Sequence, residues 1–150
     1  MPTRLLAWKN TLKILARVGV VLAAVGLCLV PGPGGAAGKH DGSAPLLCVP
    51  IGVTECGAEG ECKRGTPESV NLPQFMRVDV KAMTIQSEEQ QKRESPIKTV
   101  DHMNGKLILQ GTQGERGWTT LIDEDTGRLS ATVTAHGEGF VVFGACTVAP

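Results

Sequence analysis

Between residues 97 and 146 the sequence alternates short strand-like runs with glycine-containing turns, and this pattern constrains the fold more than any other feature. The runs are 97–103, 106–112, 118–123, 128–135 and 140–146. Asn104-Gly105 is the strongest of the turns, because Asn-Gly suits the positive φ that both central residues of a tight hairpin need. The hairpin register that follows places Val100 opposite Leu109 and His102 opposite Leu107. In the run 128–135 apolar and polar residues alternate, which predicts that Leu129, Ala131, Val133 and Ala135 face inward.

An earlier run, 75–85, also alternates apolar and polar residues, and its apolar phase shifts near Ala82. This predicts one further strand with a β-bulge at that point. The last run, 140–146, is apolar on both faces, as expected of a central or barrel-closing strand. We therefore predict an all-β domain over residues 75–148. It would be an antiparallel six-stranded meander that forms a small barrel or a sandwich.

The N-terminal residues 1–37 have the order of a secretory signal. Basic residues without acidic ones come first, residues 18–30 are uninterruptedly apolar, and small residues with glycine and proline follow. This order predicts an export helix in a signal peptide cleaved near Ala37 or Gly38, and a periplasmic or secreted mature chain. The alternative is an uncleaved anchor in the inner membrane formed by residues 12–30, with Arg17 reaching the lipid interface.

The segment 38–74 contains glycine, proline, cysteine and charged residues without periodicity, and it predicts an irregular lead-in held by cystines. One cysteine, Cys28, belongs to the export segment, and an even set follows it: Cys48, Cys56, Cys62 and Cys146. An oxidising compartment favours disulfides among them.

Of the three possible pairings we prefer Cys56–Cys62 with Cys48–Cys146. The first bond closes a short loop that contains glycines, and the second ties the lead-in to the last strand. Loop length predicts that Cys146→Ser lowers stability by about 1–2 kcal/mol more than Cys56→Ser. The cysteine spacing, with no histidine close by, does not match a zinc site, so we predict no metal and no cofactor.

The net charge of the chain restricts the kinds of partner that it is expected to bind. Without the four basic residues that precede position 20, the chain has eleven basic and fifteen acidic residues, a net charge of −4. Nucleic acids and anionic lipids need a basic face. The expected partner is therefore an envelope protein or a small ligand, with membrane contact only through an uncleaved N-terminal segment.

Candidate chemistry is sparse. His102 and His136 lie at or beside hairpin turns, and neither belongs to a recognisable nucleophile motif, so we assign no catalytic residue. Residues 123–127 resemble the start of a calcium loop, but Asp and Gly at a hairpin tip are expected for backbone reasons. The glycine-rich stretch 111–117 lacks phosphate-loop spacing and predicts a β-turn. Trp118 is expected to pack in the core.

Three parts of the sequence carry a resemblance: the run 106–111, the stretch from Gly117-Trp118 to Gly127, and the ending 139–147 (GFVVFGACT). Over residues 72–148 they look like a group of short exported proteins of Gram-negative bacteria. The resemblance implies location and a β-fold pattern, and it carries no activity. The expected function is that of a non-enzymatic binding or structural β domain in the cell envelope. The alternative is a small periplasmic hydrolase that uses His102 or His136.

Overall fold

A computed structural model of the chain describes residues 40–89 and 93–150, and it is built from β-strands. The strands are β1 (Leu46–Gly57), β2 (Cys62–Gly65), β3 (Met76–Asp79), β4 (Thr84–Ser87), β5 (Glu94–Met103), β6 (Lys106–Gln113), β7 (Arg116–Asp123), β8 (Arg128–Ala135) and β9 (Glu138–Val148). A single 3-10 turn at Glu68–Val70 precedes β3. Within these residues, no helix has the length and apolar character that a membrane crossing requires. The predicted export helix and anchor, residues 1–37 and 12–30, lie outside the described residues.

Eight of the strands close into an antiparallel barrel. From β3 to β9 each strand pairs with the next along the chain, and β1 pairs with both β3 and β9, which joins the two edges. The β1–β9 seam is long, running from Leu46 opposite Val148 to Gly57 opposite Glu138. Closure removes the free edges that an open sheet of this size would expose. The prediction of an all-β antiparallel meander is confirmed, and the barrel is the correct one of its two forms.

The predicted number of strands is wrong, mainly because the segment 38–74 is not irregular. It contains β1, a barrel strand, and β2, an extra strand that pairs with the distal part of β1 from Val53 to Cys56. The strand β1 was not predicted because it contains Pro50, and proline within a run normally argues against a strand. Here the register between β1 and β9 shifts between Pro50 and Gly52, and the intervening Ile51 is exposed. Proline is tolerated at such a bulge.

The second error concerns residues 75–85, which form two strands instead of one bulged strand. Between β3 and β4 the chain turns, with Met83 at φ 58° and its N–H donating to the carbonyl of Val80 (3.3 Å). The Asp79 carboxylate accepts the N–H of Ala82 at 2.9 Å, which holds the turn. The shift of apolar phase near Ala82 therefore marks a change of strand.

The hairpin predictions hold. Val100 lies opposite Leu109 and His102 opposite Leu107, in the predicted register. The turn residues Asn104 and Gly105 both have positive φ, at 52° and 72°. The last strand, β9, pairs on both sides, with β8 and with β1, as expected of a barrel-closing strand.

The two ends of the barrel differ. The turns after β3, β5 and β7 lie at one end, here called the closed end, and the segment 40–45 packs across it. His40 donates its N–H to the carbonyl of Glu124 (3.0 Å), and a Cβ added to Gly42 would lie 2.6 Å from Val80 and 3.3 Å from Leu107. The connections after β4, β6 and β8 lie at the opposite end, here called the open end.

Apolar side chains fill the barrel interior. The buried core cluster consists of Leu46, Cys48, Val78, Ile97, Leu107, Leu109, Ile122, Leu129 and Cys146. Most of these residues lie in the parts of their strands nearer the closed end. Burial of this surface away from water is the main stabilising term of the fold.

Candidate functional site

The open end of the barrel leads into an interior cavity of about 190 Å³. Its walls are mostly apolar, and the side chains that form them include Val78, Ile85, Leu129, Ala131, Val133 and Val142. An eight-stranded barrel is about wide enough either to be filled by its own side chains or to hold one small ligand. In this protein core side chains fill the barrel near the closed end, and the interior near the open end contains the unfilled cavity.

Trp118 forms one wall of the cavity and is held in a defined position. Its indole packs directly on Gly111, where an added Cβ would collide with the ring and with the carbonyl of Pro96. Its Nε1–H donates to the Ser95 hydroxyl at 2.9 Å. Trp118 was expected in the core; it is instead half-buried, packs against the core cluster, and also lines the cavity. A tryptophan fixed at both its face and its N–H is a rigid surface for a ligand.

Three residues with hydroxyl groups lie among the apolar side chains of the wall: Ser87, Ser95 and Thr120. Ser87 and Thr120 are buried, at 4% and 7% exposure. The Ser87 hydroxyl accepts the backbone N–H of Arg93 at 2.8 Å, so it also links the end of β4 to the residue before β5. A few polar groups within an apolar cavity are the usual means of orienting a bound molecule.

The segment Val70–Pro73 lies at the mouth of the cavity, tied to the connection between β4 and β5. The Arg93 guanidinium donates to the carbonyl of Asn71 (2.6 Å) and pairs with Glu89 (3.4 Å). The N–H of Gln74 donates to the Glu89 carboxylate at 2.9 Å. Asn71 itself has a positive φ of 56°. These contacts hold the segment beside the opening.

Arg116 and Gln113 also lie at the mouth, at the hairpin between β6 and β7. The Gln113 amide donates to the carbonyl of Glu94 (3.3 Å). The exposed Arg116 lines both the cavity and a shallow polar depression outside it, which Glu115, His136 and Glu138 share. The predicted β-turn lies within the stretch 111–117 but is shorter: Gly114, at φ 60°, and Glu115 connect the strands, and the flanking residues pair as the ends of β6 and β7.

The two candidate catalytic histidines lie at opposite ends of the barrel. His102 is at the closed end, with Nδ1 2.7 Å from the Glu124 carboxylate and about half of its side chain exposed. His136 is in the exposed turn between β8 and β9, at the open end. The structure therefore does not bring these two side chains into one site.

The acidic turn 123–127 is organised around one carboxylate. Asp123 Oδ1 accepts the N–H and the hydroxyl of Thr126, each at 2.8 Å, and Oδ2 accepts from the Lys106 ammonium at 2.6 Å. The Lys106 hydrogen bond, followed by those of Thr126, holds the pKa of Asp123 well below its usual range. Asp123 thus stabilises a turn, the interpretation that the sequence favoured over calcium. Among residues 40–89 and 93–150, no group of three or more His, Cys, Asp or Glu side chains is placed to hold a metal ion.

The cysteine pairs are those predicted. Cys48 bonds to Cys146 across the β1–β9 seam, and Cys56 bonds to Cys62 across the hairpin of β1 and β2. Both pairs join residues that lie directly opposite each other in the sheet. The first bond is buried in the barrel core, and the second is near the surface. Two such cystines indicate a thiol-oxidising, extracytoplasmic compartment.

No protein-family model, curated protein or solved structure matches the chain. The functional conclusion is therefore drawn from the geometry of the barrel itself.

Sequence reasoning missed the cavity, although it correctly assigned several residues that line it to inward strand faces. Leu129, Ala131 and Val133 were predicted to face inward. Arg93 and Arg116 lie in predicted loops and carried no signal of their own. The antiparallel pairing of β5, β6 and β7 brings the two arginines to the same end of the barrel, and closure forms the opening that both line.

Proposed function

We propose that this chain is an exported cell-envelope protein whose barrel binds one small, largely apolar molecule. The observation that carries the proposal is the cavity of about 190 Å³, apolar in its walls and open at one end of the barrel. Apolar pockets with a few placed polar groups are the usual form of small-molecule sites, and the mouths of β-barrels are a common place for them.

The energetics of packing support this proposal. Unfilled apolar volume in a protein interior costs about 24 cal/mol per Å³, so a space of this size forgoes a few kcal/mol of packing. Larger side chains at Ala131 or Val133 could fill it without a change of fold. A ligand that occupies the space regains the lost contacts.

The test is a fluorescence titration of the full chain carrying Trp8→Phe, which leaves Trp118 as the only tryptophan. We expect 1-octanol to change the Trp118 emission in a saturable manner. The cavity-filling variant Ala131→Leu should abolish this response without loss of stability. The matched control is Ala145→Leu, at an exposed position on β9, and it should bind as the parent does. An unsaturable response, or equal binding by the Ala131→Leu variant, would refute a ligand site in the barrel.

Export is the second part of the proposal, and the N-terminal charge pattern and the two cystines support it. The N-terminus of the mature protein should lie near Gly38 or Lys39 when sequenced from a periplasmic fraction. An intact Met1 in the membrane fraction would instead establish residues 12–30 as an anchor in the inner membrane.

The alternative function, a small hydrolase using His102 or His136, has one supporting observation. The Glu124 carboxylate lies 2.7 Å from His102 Nδ1, a contact of the kind that orients a catalytic imidazole. This pair is at the closed end, away from the cavity that could hold a substrate. We therefore favour the binding function.

A further inference from the structure

We propose that the ligand is a small amphipathic monoanion, with its apolar part in the barrel and its carboxylate at Arg116. This inference rests on the proposed binding function and names the chemical class of the molecule. Its starting point is the charge at the mouth. Among the described residues that line the cavity, the charged side chains are Arg93 and Arg116, both positive. The chain beyond the N-terminal basic residues is net acidic, so the charged residues of the cavity lining are opposite in sign to the net charge of that chain.

The two arginines are not equivalent. The Arg93 guanidinium is engaged by the Asn71 carbonyl and by Glu89, so its charge is offset and its position serves the segment Val70–Pro73. The Arg116 guanidinium has no hydrogen bond or ion pair with any residue in 40–89 or 93–150. It lies at the first residue of β7, two positions before Trp118. A free guanidinium there presents two parallel donors to a carboxylate.

The surroundings of Arg116 favour a single negative charge. Glu115 and Glu138 line the shallow depression that Arg116 shares with the cavity. Arg93 lines it too, but its charge is offset by Glu89. A monoanion is matched by the one unpaired guanidinium. The second charge of a dianion such as a phosphate monoester would add to the negative charge of the depression that these carboxylates line, and like charges repel. The neighbouring acids thus select against doubly charged head groups.

The cavity volume bounds the apolar part. An engineered apolar cavity of ~150 Å³ takes up the six carbons of benzene. In proportion, the 190 Å³ of this barrel accommodates about seven or eight carbon atoms. A medium-chain fatty acid or an arylalkanoic acid meets both requirements, and octanoate is a suitable probe.

The experiment compares octanoate, 1-octanol and octyl phosphate as ligands of the full Trp8→Phe chain, by Trp118 fluorescence at pH 8 and low salt. The variant Arg116→Gln removes the free charge at the mouth. The variant Arg128→Gln makes the same change at the exposed start of β8, near the closed end, and serves as its matched control.

We expect Arg116→Gln to weaken octanoate binding about tenfold, the value of one partly exposed charge-assisted hydrogen bond. Octanol binding should change less than about twofold, and Arg128→Gln should leave both unchanged. Octyl phosphate should bind more weakly than octanoate. Equal octanoate affinity in the parent and the Arg116→Gln variant, with octanol still bound, would overturn this inference and leave the proposed function standing. Tighter binding of octyl phosphate would overturn the selection for a monoanion. If neither octanol nor octanoate bound, the proposed function itself would fail.

Discussion

The disulfide between Cys48 and Cys146 should contribute far more to stability than the one between Cys56 and Cys62. The bond joins the first and last strands of the barrel across their seam, and its half-cystines are 98 residues apart in sequence. The other bond closes a loop with a separation of 6 within one hairpin. Both bonds restrict the unfolded chain, but the first restricts nearly the whole domain.

The magnitudes follow from the loop lengths. The chain-entropy relation assigns about 4.7 kcal/mol to a separation of 98 and about 2.2 kcal/mol to one of 6, a difference of about 2.5 kcal/mol. The relation thus gives a larger difference than the 1–2 kcal/mol stated above for the single substitutions Cys146→Ser and Cys56→Ser. Burial acts in the same direction, because Cys48 is 0% and Cys146 7% exposed. Removing their sulfur atoms leaves a small void in the core.

The assay is urea unfolding of two double variants, Cys48→Ala/Cys146→Ala and Cys56→Ala/Cys62→Ala, followed by far-UV circular dichroism. Relative to the parent, the first should lose at least about 2 kcal/mol more than the second. Its denaturant slope should also rise, because the uncrosslinked chain exposes more surface when unfolded. Equal losses, or a greater loss from the Cys56→Ala/Cys62→Ala variant, would refute the assignment of the seam bond as the main covalent constraint.

Three further outcomes are expected. Gly111→Ala should lower the free energy of unfolding by about 1–3 kcal/mol and shift the Trp118 emission, because the added Cβ would collide with the indole. The control is Gly52→Ala, where an added Cβ has no atom within 4 Å, and thermal unfolding should show it to be nearly neutral. Asp123 has a depressed pKa, so its stabilising effect is present above about pH 4 and is lost as the pH falls through the folded-state pKa. An Asp123→Asn variant should therefore be less stable than the parent at pH 7, and the gap should narrow in unfolding curves below pH 4. Neither His102→Ala nor His136→Ala should reduce octanol binding or the cellular phenotype of the protein; loss of phenotype at unchanged abundance and fold would point to the hydrolase.

Local chemistry determined much of the fold. The turn at Asn104-Gly105 was predictable because its backbone conformation suits few residue pairs, and the hairpin register followed from the turn. The alternation in residues 128–135 correctly placed the inward face of β8 for the same kind of reason. The cysteine pairing followed from loop length and the position of the last strand. The turn and the alternation depend only on residues close together in sequence, and the cysteine pairing required a choice among only three possibilities.

Long-range pairing decided the rest. The strand β1 has no clear alternation because it bulges after Pro50 and pairs with three different strands along its length. Its role as a barrel strand exists only when the two ends of the domain meet. The turn at Met83 was not predicted, because two short strands joined by a tight turn have the same alternation pattern in sequence as one strand with a bulge.

The sequence by itself determined an antiparallel β domain, its main hairpins and its cystine framework, since turn geometry and the pairing of few cysteines are local or combinatorial constraints. Only the tertiary structure decided that eight strands close into a barrel, and that the barrel is filled at one end and open at the other. The volume of a cavity is the volume that the barrel encloses minus the volume that its side chains occupy. Because this difference depends on all eight strands together, the sequence pattern of one strand does not predict it. Arg116 and Trp118 are neighbours within β7, but only the closure of the barrel creates the apolar cavity that both side chains line. That cavity is the basis of the function proposed for the protein.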